Sequence, residues 1–339
     1  MIKEAMLYEK LTDGWVKCHL CAHVCTIKPG RRGFCGVREN TRGVLYSLVY
    51  GTLVSENIDP IEKKPFFHVF PASRSFSIAT VGCNFNCSFC QNHDISQMPR
   101  VSSMIAGDDF SPADIVAMAK RSGSRTIAYT YTEPTVYFEL AYDTAKIAQE
   151  QGLKNVFVTN GFMTPRAVET ISPYLAAANV DLKSFREEFY KKYCGAKLEP
   201  VLNSLRILKE KGVWVEITTL LIPTLNDSEE ELRDIAQFIA GLGVETPWHV
   251  SRFHPQYKMR DLPVTPLESL RKAARIGGEA GLKYVYSGNV PGDKGENTYC
   301  AQCKTLLIER YGFSVLANNL EKNRCPKCKT PLDGVFDTV

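Results

Sequence analysis

The 339-residue chain has no apolar run of about eighteen residues, so a membrane-spanning helix is not expected. Its opening, Met-Ile-Lys-Glu-Ala-Met-Leu-Tyr-Glu-Lys, is charged and lacks an apolar stretch, so a signal peptide is not expected either. The formal net charge is only +4, too small to imply a nucleic-acid partner by itself. There is no low-complexity segment, and no internal repeat apart from alternating strand-like and helix-like segments. What remains is ample. At 44% hydrophobic the chain can bury a full core, and its length suits two or three domains, or one large domain with appendages. Twelve cysteines without a secretion signal argue for metals rather than disulfides, and for a reducing, cytoplasmic location. They fall as four near the N-terminus, three in one loop, four near the C-terminus, and Cys194 alone.

The loop is the most informative stretch. Cys83, Cys87 and Cys90 stand in Cys-Asn-Phe-Asn-Cys-Ser-Phe-Cys, right after the strand-like run Ser75–Val81. Three thiolates at this spacing can hold three irons of a [4Fe–4S] cluster and leave the fourth open to a substrate. A fourth protein ligand would close the cluster. The competing reading is a zinc knuckle short of one ligand, or three structural cysteines.

From Ser75 the pattern alternates. Strands are expected at Ser75–Val81, Thr126–Tyr131, Asn155–Thr159, Asn179–Lys183, Val213–Ile222, Trp248–Phe253 and Tyr284–Ser287. Helices are expected from Ser111-Pro112, over Thr135–Gln151, from Thr164-Pro165, over about Pro200–Lys211, from the acidic start at Asp227-Ser228, and from Thr265-Pro266. Such alternation implies an α/β fold with a parallel sheet. Six or seven units suggest a partial (β/α)6 barrel over residues 75–290, whose chemistry gathers in the loops after the strand C-termini. Residues 1–74 form a Cys-rich metal-binding unit, with β-rich stretches at Val44–Leu53 and Phe66–Phe70 joined by Ile58–Lys64. After the turn-rich linker at 289–297, residues 296–339 form a compact cysteine unit.

Cys300, Cys303, Cys325 and Cys328 make two CX2C knuckles with 21 residues between them, and the intervening Leu306–Glu309 and Phe313–Ala317 read as strands. This is a zinc-ribbon pattern, since two knuckles on hairpins bring four thiolates into the tetrahedron that zinc prefers. Its six basic and four acidic side chains over 300–339 make no decisive basic patch. At the N-terminus, Cys18, Cys21, Cys25 and Cys35 could hold zinc or a second [4Fe–4S] cluster, and the knuckle-like turns favour zinc. His19 and His23 are left outside that ligand set. Strand alternation puts Asp181 and Lys183 on one face, where a charged pair is costly unless paired or ligand-bound. Lys183 can meet a carboxylate and Asp181 a ribose hydroxyl. Tyr129, Tyr131 and Cys194 are candidate substrate-side groups, although a small buried role suits Cys194 better.

The cysteine loop, with an aromatic residue just before its third cysteine, resembles the signature of the radical S-adenosylmethionine (SAM) superfamily. Residues 75–290 resemble most closely the barrel of pyruvate formate-lyase activating enzyme. The run Asp59-Pro-Ile-Glu-Lys-Lys-Pro-Phe-Phe-His and the N-terminal Cys-His-Leu-Cys-Ala-His-Val-Cys are similar to the radical SAM member of the AmmeMemoRadiSam system. That system is named for genomic association with AMMECR-type and Memo-type proteins, which are therefore implied partners. The resemblance implies that SAM binds the open iron and is cleaved reductively to a 5′-deoxyadenosyl radical. The electron would come from a donor such as flavodoxin or ferredoxin. It places Glu133 at the SAM amino group, Asn160 of Thr159-Asn-Gly facing SAM, and the run from Val215 to Pro223 beneath the adenine. It places His254 near the ribose or adenine, with His249 as the alternative. Hydrogen abstraction from an unidentified substrate is the leading reading. The rivals are a glycyl-radical activase, an RNA or nucleobase modifier using the ribbon for binding, and a non-enzymatic Fe–S or zinc scaffold.

Overall fold

A computed structural model describes residues 1–336. Strands buried on both faces need continuous apolar runs rather than alternation. The runs around Ile127, Val156, Val180, Ile217 and Val250 supply them, all at or near zero exposure. They assemble into one eight-stranded sheet. Its strands are β1 (Ser55–Pro60), β2 (Arg74–Ala79), β3 (Thr126–Tyr129), β4 (Lys154–Thr159), β5 (Ala177–Asp181), β6 (Trp214–Leu221), β7 (Trp248–Arg252) and β8 (Val285–Gly288). Their order across the sheet is β8-β7-β6-β5-β4-β3-β2-β1. Strands β2 to β8 are parallel, and β1 pairs antiparallel with β2 through Ser55–Ala79 to Pro60–Arg74. The sheet is therefore mixed.

Six helices join the parallel strands: α1 (Pro112–Arg121), α2 (Phe138–Glu150), α3 (Pro165–Ile171), α4 (Glu199–Glu210), α5 (Glu229–Leu242) and α6 (Leu267–Glu279). Their starts follow local chemistry. Ser111 and Asp114 form a reciprocal capping box at α1, Thr164 caps α3, and Ser228 caps α5 ahead of three glutamates. Among the described residues, no helix is long and apolar enough to cross a membrane.

Three expectations need correction. Thr265 does not cap α6. Its hydroxyl donates to the Leu221 carbonyl and accepts from the Phe253 N–H, at 2.6 and 2.9 Å, tying β6 to β7 instead. Phe66–Phe70 is not a strand, because its backbone donors are taken elsewhere. The Phe67 and His68 N–H groups both donate to the Glu216 carboxylate, and the Phe70 N–H donates to the Val335 carbonyl. Ser55–Pro60, whose second half falls in the Ile58–Lys64 connection expected from the sequence, is the antiparallel edge strand instead.

Two cysteine-bearing portions flank this sheet. The N-terminal one carries two three-stranded sheets, Tyr8–Lys10 with Val16–Cys18 and Thr26–Ile27, and Lys3–Glu4 with Val44–Ser47 and Arg38–Thr41. The C-terminal one is a three-stranded sheet of Thr298–Tyr299, Leu306–Tyr311 and Ser314–Asn318. Its Leu307, Ile308, Cys300 and Cys325 share an apolar cluster with Phe67, Tyr284 and Tyr286.

Candidate active site and cysteine centres

Ligands in parallel α/β sheets bind beyond the carboxyl ends of the strands. A cavity of about 440 Å³ lies there. Every parallel strand contributes: Cys83, Cys87 and Cys90 after β2, Thr130–Thr132 after β3, Thr159 and Asn160 at β4, and Asp181 and Lys183 at β5. Thr218 and Leu220 come from β6, His249 and Ser251 from β7, and Ser287–Asn289 from β8. The two flanking portions complete the wall, with Glu62–Pro65 and Phe67 on one side and Gly312 and Phe313, at the tip of the C-terminal hairpin, on the other.

The cysteine loop is pinned from two directions. The Asn86 and Ser88 N–H groups donate to the carbonyls of Cys194 and Tyr193, at 2.8 and 2.9 Å, on a π-type turn over Tyr190–Cys194. Asn160 holds the other end, its amide donating to Asn84 Oδ1 at 2.7 Å and reaching to within 3.8 Å of the Cys83 sulfur. Gly82 opens the loop at φ +99°, and a Cβ there would sit 2.6 Å from Val37. Only glycine allows the N-terminal portion to approach so closely.

Glu133 does not line the cavity. It is fully buried behind it, and its carboxylate accepts from Thr135 N–H and hydroxyl, the Thr159 hydroxyl and the Asn160 N–H, at 2.5–3.0 Å. Burial pushes its carboxyl up, against these bonds. Three of these bonds fall on Oε1 and one on Oε2, and together they shape the Thr159-Asn160-Gly161 turn. Gly161 of that turn has φ +69°, and a Cβ would meet Val180 at 2.8 Å.

Lys183 Nζ lies 3.0 Å from Asp181 in the cavity wall. Burial works against its charge, but Asp181 and the neighbouring Cys87 and Cys194 sulfurs outweigh it and keep the amine above its usual range. Tyr131 borders the cavity and donates its hydroxyl to Asp59. Tyr129 points away and donates to Asn155 at 3.1 Å, while Cys194 is buried beside Cys87. His254 is exposed and does not border the cavity; His249 does.

Two groups escaped the sequence, Lys64 on this wall and Glu216, buried and outside the lining. Lys64 is 2% exposed, sits 2.6 Å from Asp59 and lies over the Tyr131 ring, and burial lowers its amine to about 8. Its signal was a lysine in an apolar-flanked run, Pro-Ile-Glu-Lys-Lys-Pro-Phe-Phe. Glu216 receives His249 at 2.6 Å besides the two backbone donors from Phe67 and His68. Burial would raise Glu216, yet His249 and these donors hold it below the usual range. Its signal was a lone acid inside an apolar strand.

At the C-terminus the four sulfurs of Cys300, Cys303, Cys325 and Cys328 lie within 4.8 Å of one another, with 3.5 Å between Cys300 and Cys328 and 3.6 Å between Cys303 and Cys325. This set could hold a metal ion. Hydrogen bonds from Thr305 hold the Cys303 thiol down to about 6, which favours the thiolate that a metal needs. At the N-terminus Cys18, Cys21, Cys25 and Cys35 border a second, smaller cavity with Arg38.

A cysteine triad open to a cavity at the mouth of an α/β sheet suits an iron–sulfur cluster with one open iron. The sequence profile of the Radical SAM superfamily matches residues 77–239, and the chain belongs to that superfamily of enzymes. Such enzymes draw electrons from a reductant such as flavodoxin or ferredoxin. The chain is 49% identical over 338 residues to the uncharacterized protein MJ0808 of Methanocaldococcus jannaschii, covering 99% of this chain and 100% of the relative. It is 25% identical over 209 residues to the pyruvate formate-lyase-activating enzyme of Clostridium pasteurianum, 56% of this chain and 84% of the relative. Among solved structures, a radical SAM methyltransferase from Sphaerobacter thermophilus shares the fold with a TM-score of 0.50 and 16% identity, over 70% of this chain and 71% of that one.

Proposed function

We propose that this enzyme cleaves SAM reductively and uses the resulting 5′-deoxyadenosyl radical to abstract hydrogen from a substrate held in the 440 Å³ cavity. The observation that carries this is the convergence of Cys83, Cys87, Cys90, Asn160, Asp181 and Lys183 on that one cavity. The three thiols fit a [4Fe–4S] cluster with one open iron. When bound, the cluster supplies the electron and the open coordination position; the protein supplies placement. Lys183 would hold the SAM carboxylate and Asp181 a ribose hydroxyl, while Asn160 fixes the loop that carries Cys83. Glu133 shapes the turn at Asn160 rather than touching SAM, and His249 takes the place expected of His254. Lys64 and Tyr131 face the substrate side.

Seven parallel strands and six intervening helices support a partial (β/α)6 barrel over about residues 75–290, with a Cys-rich unit at 1–74 and a ribbon at 296–339. The close sulfurs of Cys300, Cys303, Cys325 and Cys328 suit zinc, whose bonds of about 2.3 Å put tetrahedral thiolates roughly 3.8 Å apart. Twelve free thiols fit a reducing cytoplasm. The paired cysteine run and the Asp59–His68 segment support membership of the AmmeMemoRadiSam system, with Memo-type and AMMECR-type proteins as partners.

A second reading, a glycyl-radical activase, is favoured by the relatives that bear that name. The walls contributed by Glu62–Pro65 and by Phe313 argue instead for a substrate enclosed on both sides. The test is incubation of the reduced protein and SAM with a deuterated cell extract. Label in 5′-deoxyadenosine without a protein radical supports the proposal. A glycyl-radical doublet on a partner protein overturns it in favour of the activase.

A further inference from the structure

Zinc held by four thiolates requires sulfurs roughly 3.8 Å apart, whereas a [4Fe–4S] cluster, with an iron behind each thiolate, spreads them further. Among the described residues, only the C-terminal quartet forms a set of ligand atoms all within 4.8 Å of one another. Cys18, Cys21, Cys25 and Cys35 do not, although all four border one cavity. Cys83, Cys87 and Cys90, the triad proposed to hold an iron–sulfur cluster, do not form such a set either. The N-terminal quartet therefore does not form the close sulfur set of the ribbon.

A second observation is independent of the spacing. Arg38 borders the same cavity and is 2% exposed. Its Nη2 is used, donating at 2.7 Å to Glu139 and at 2.8 Å to the Met6 carbonyl. Its Nε and Nη1 have no hydrogen-bond partner among the described residues. Leaving charged donors buried and unpaired is costly. An anionic group bearing several sulfur acceptors between the four cysteines would satisfy them, as donors around a cluster commonly do.

We infer that Cys18, Cys21, Cys25 and Cys35 ligate a second [4Fe–4S] cluster, with Arg38 donating hydrogen bonds to its sulfurs. Having four protein ligands, this cluster has no open iron and is closed to SAM. It stands directly behind the first centre. A Cβ on Gly82 would lie 3.2 Å from the Cys35 carbonyl oxygen, and His23 bonds the Asn84 carbonyl at 2.7 Å. Zinc, which the knuckle-like sequence favours at this site, calls for a closer set of sulfurs than this quartet forms.

The test uses the full chain carrying Cys83→Ala, Cys87→Ala and Cys90→Ala together, purified anaerobically, so that the N-terminal portion is untouched. The inference expects about four irons and four acid-labile sulfides per chain, about one zinc, and a reduced-cluster signal by electron paramagnetic resonance. Two zincs and no iron would overturn it, as would two irons with two sulfides. In the same background, Arg38→Gln should lower the reduction potential of the remaining cluster, because a positive donor stabilises the reduced, more negative form. An unchanged potential would remove Arg38 from the site.

Discussion

Under the proposed function SAM placement turns on Lys183, and its setting decides how much it would contribute. It is a partly buried ammonium paired to Asp181 at 3.0 Å, with room on the cavity side for a second anion. A charge-assisted hydrogen bond of this kind is worth about 1.5–3 kcal/mol. Lys183→Ala should weaken SAM binding about 10- to 100-fold while the visible spectrum of the cluster stays intact. Anaerobic equilibrium titration reads it, and wild-type affinity would remove Lys183 from the site. His68 makes a different kind of prediction. Buried beneath Tyr284 and bonded to Tyr286 at 2.6 Å, its imidazole is lowered by burial to about 4. The unfolded chain takes up a proton near pH 6.5 and the folded one does not until about 4, so this contribution is full above about 6.5 and is lost as pH falls through that window. Between pH 6.5 and 5 the loss is on the order of 2 kcal/mol. Denaturant unfolding of wild type and His68→Asn should show a shallower pH slope in the variant, and parallel slopes would contradict this. The residue types at these sites were legible in the sequence. Their partners were not: the sequence does not show that the fold delivers Thr135, Thr159 and Asn160 to Glu133.

At the scale of elements, turns and loops carry the chemistry and strands hold it. Ser111, Thr164 and Ser228 start helices where the sequence says, because a capping hydroxyl or carboxylate acts within one turn of its own chain. Strand ends were legible to within about two residues. The edge strand Ser55–Pro60 was not, since an antiparallel edge carries no apolar run and is defined only by its partner β2. Phe66–Phe70 shows the converse, an apolar run whose donors are captured by Glu216 and Val335. The Thr159-Asn160-Gly161 turn offers a test at this scale. Gly161→Ala meets both a left-handed backbone, costing about 1–2 kcal/mol, and the Val180 side chain at 2.8 Å. The turn should shift, loosening Asn160 from Asn84 and the Cys83 loop. The expected outcome is a folded protein with weakened SAM binding and a slower SAM cleavage rate, checked by titration and by product assay. A variant equal to wild type in both would show that the turn does not position the loop.

For the whole molecule, the cavity is built jointly by the sheet and both flanking portions. A buried polar chain ties them: Glu216 to Phe67, His68 and His249; His68 to Tyr286; Tyr286 to Thr298; and Arg310 to Thr298 and Phe67. The alternation of strands and helices made the central sheet legible from its own residues. The joint cavity was not, because Glu62–Pro65 and Phe313 are brought to it by contacts remote in the chain. The central claim is that Cys83, Cys87 and Cys90 support reductive SAM cleavage in this cavity. The most direct measurement is 5′-deoxyadenosine formed from SAM by the anaerobically reconstituted protein under a strong reductant, for wild type and for Cys83→Ala, Cys87→Ala and Cys90→Ala. The account predicts product from wild type and none above background from any of the three variants. Undiminished product in all three would contradict it.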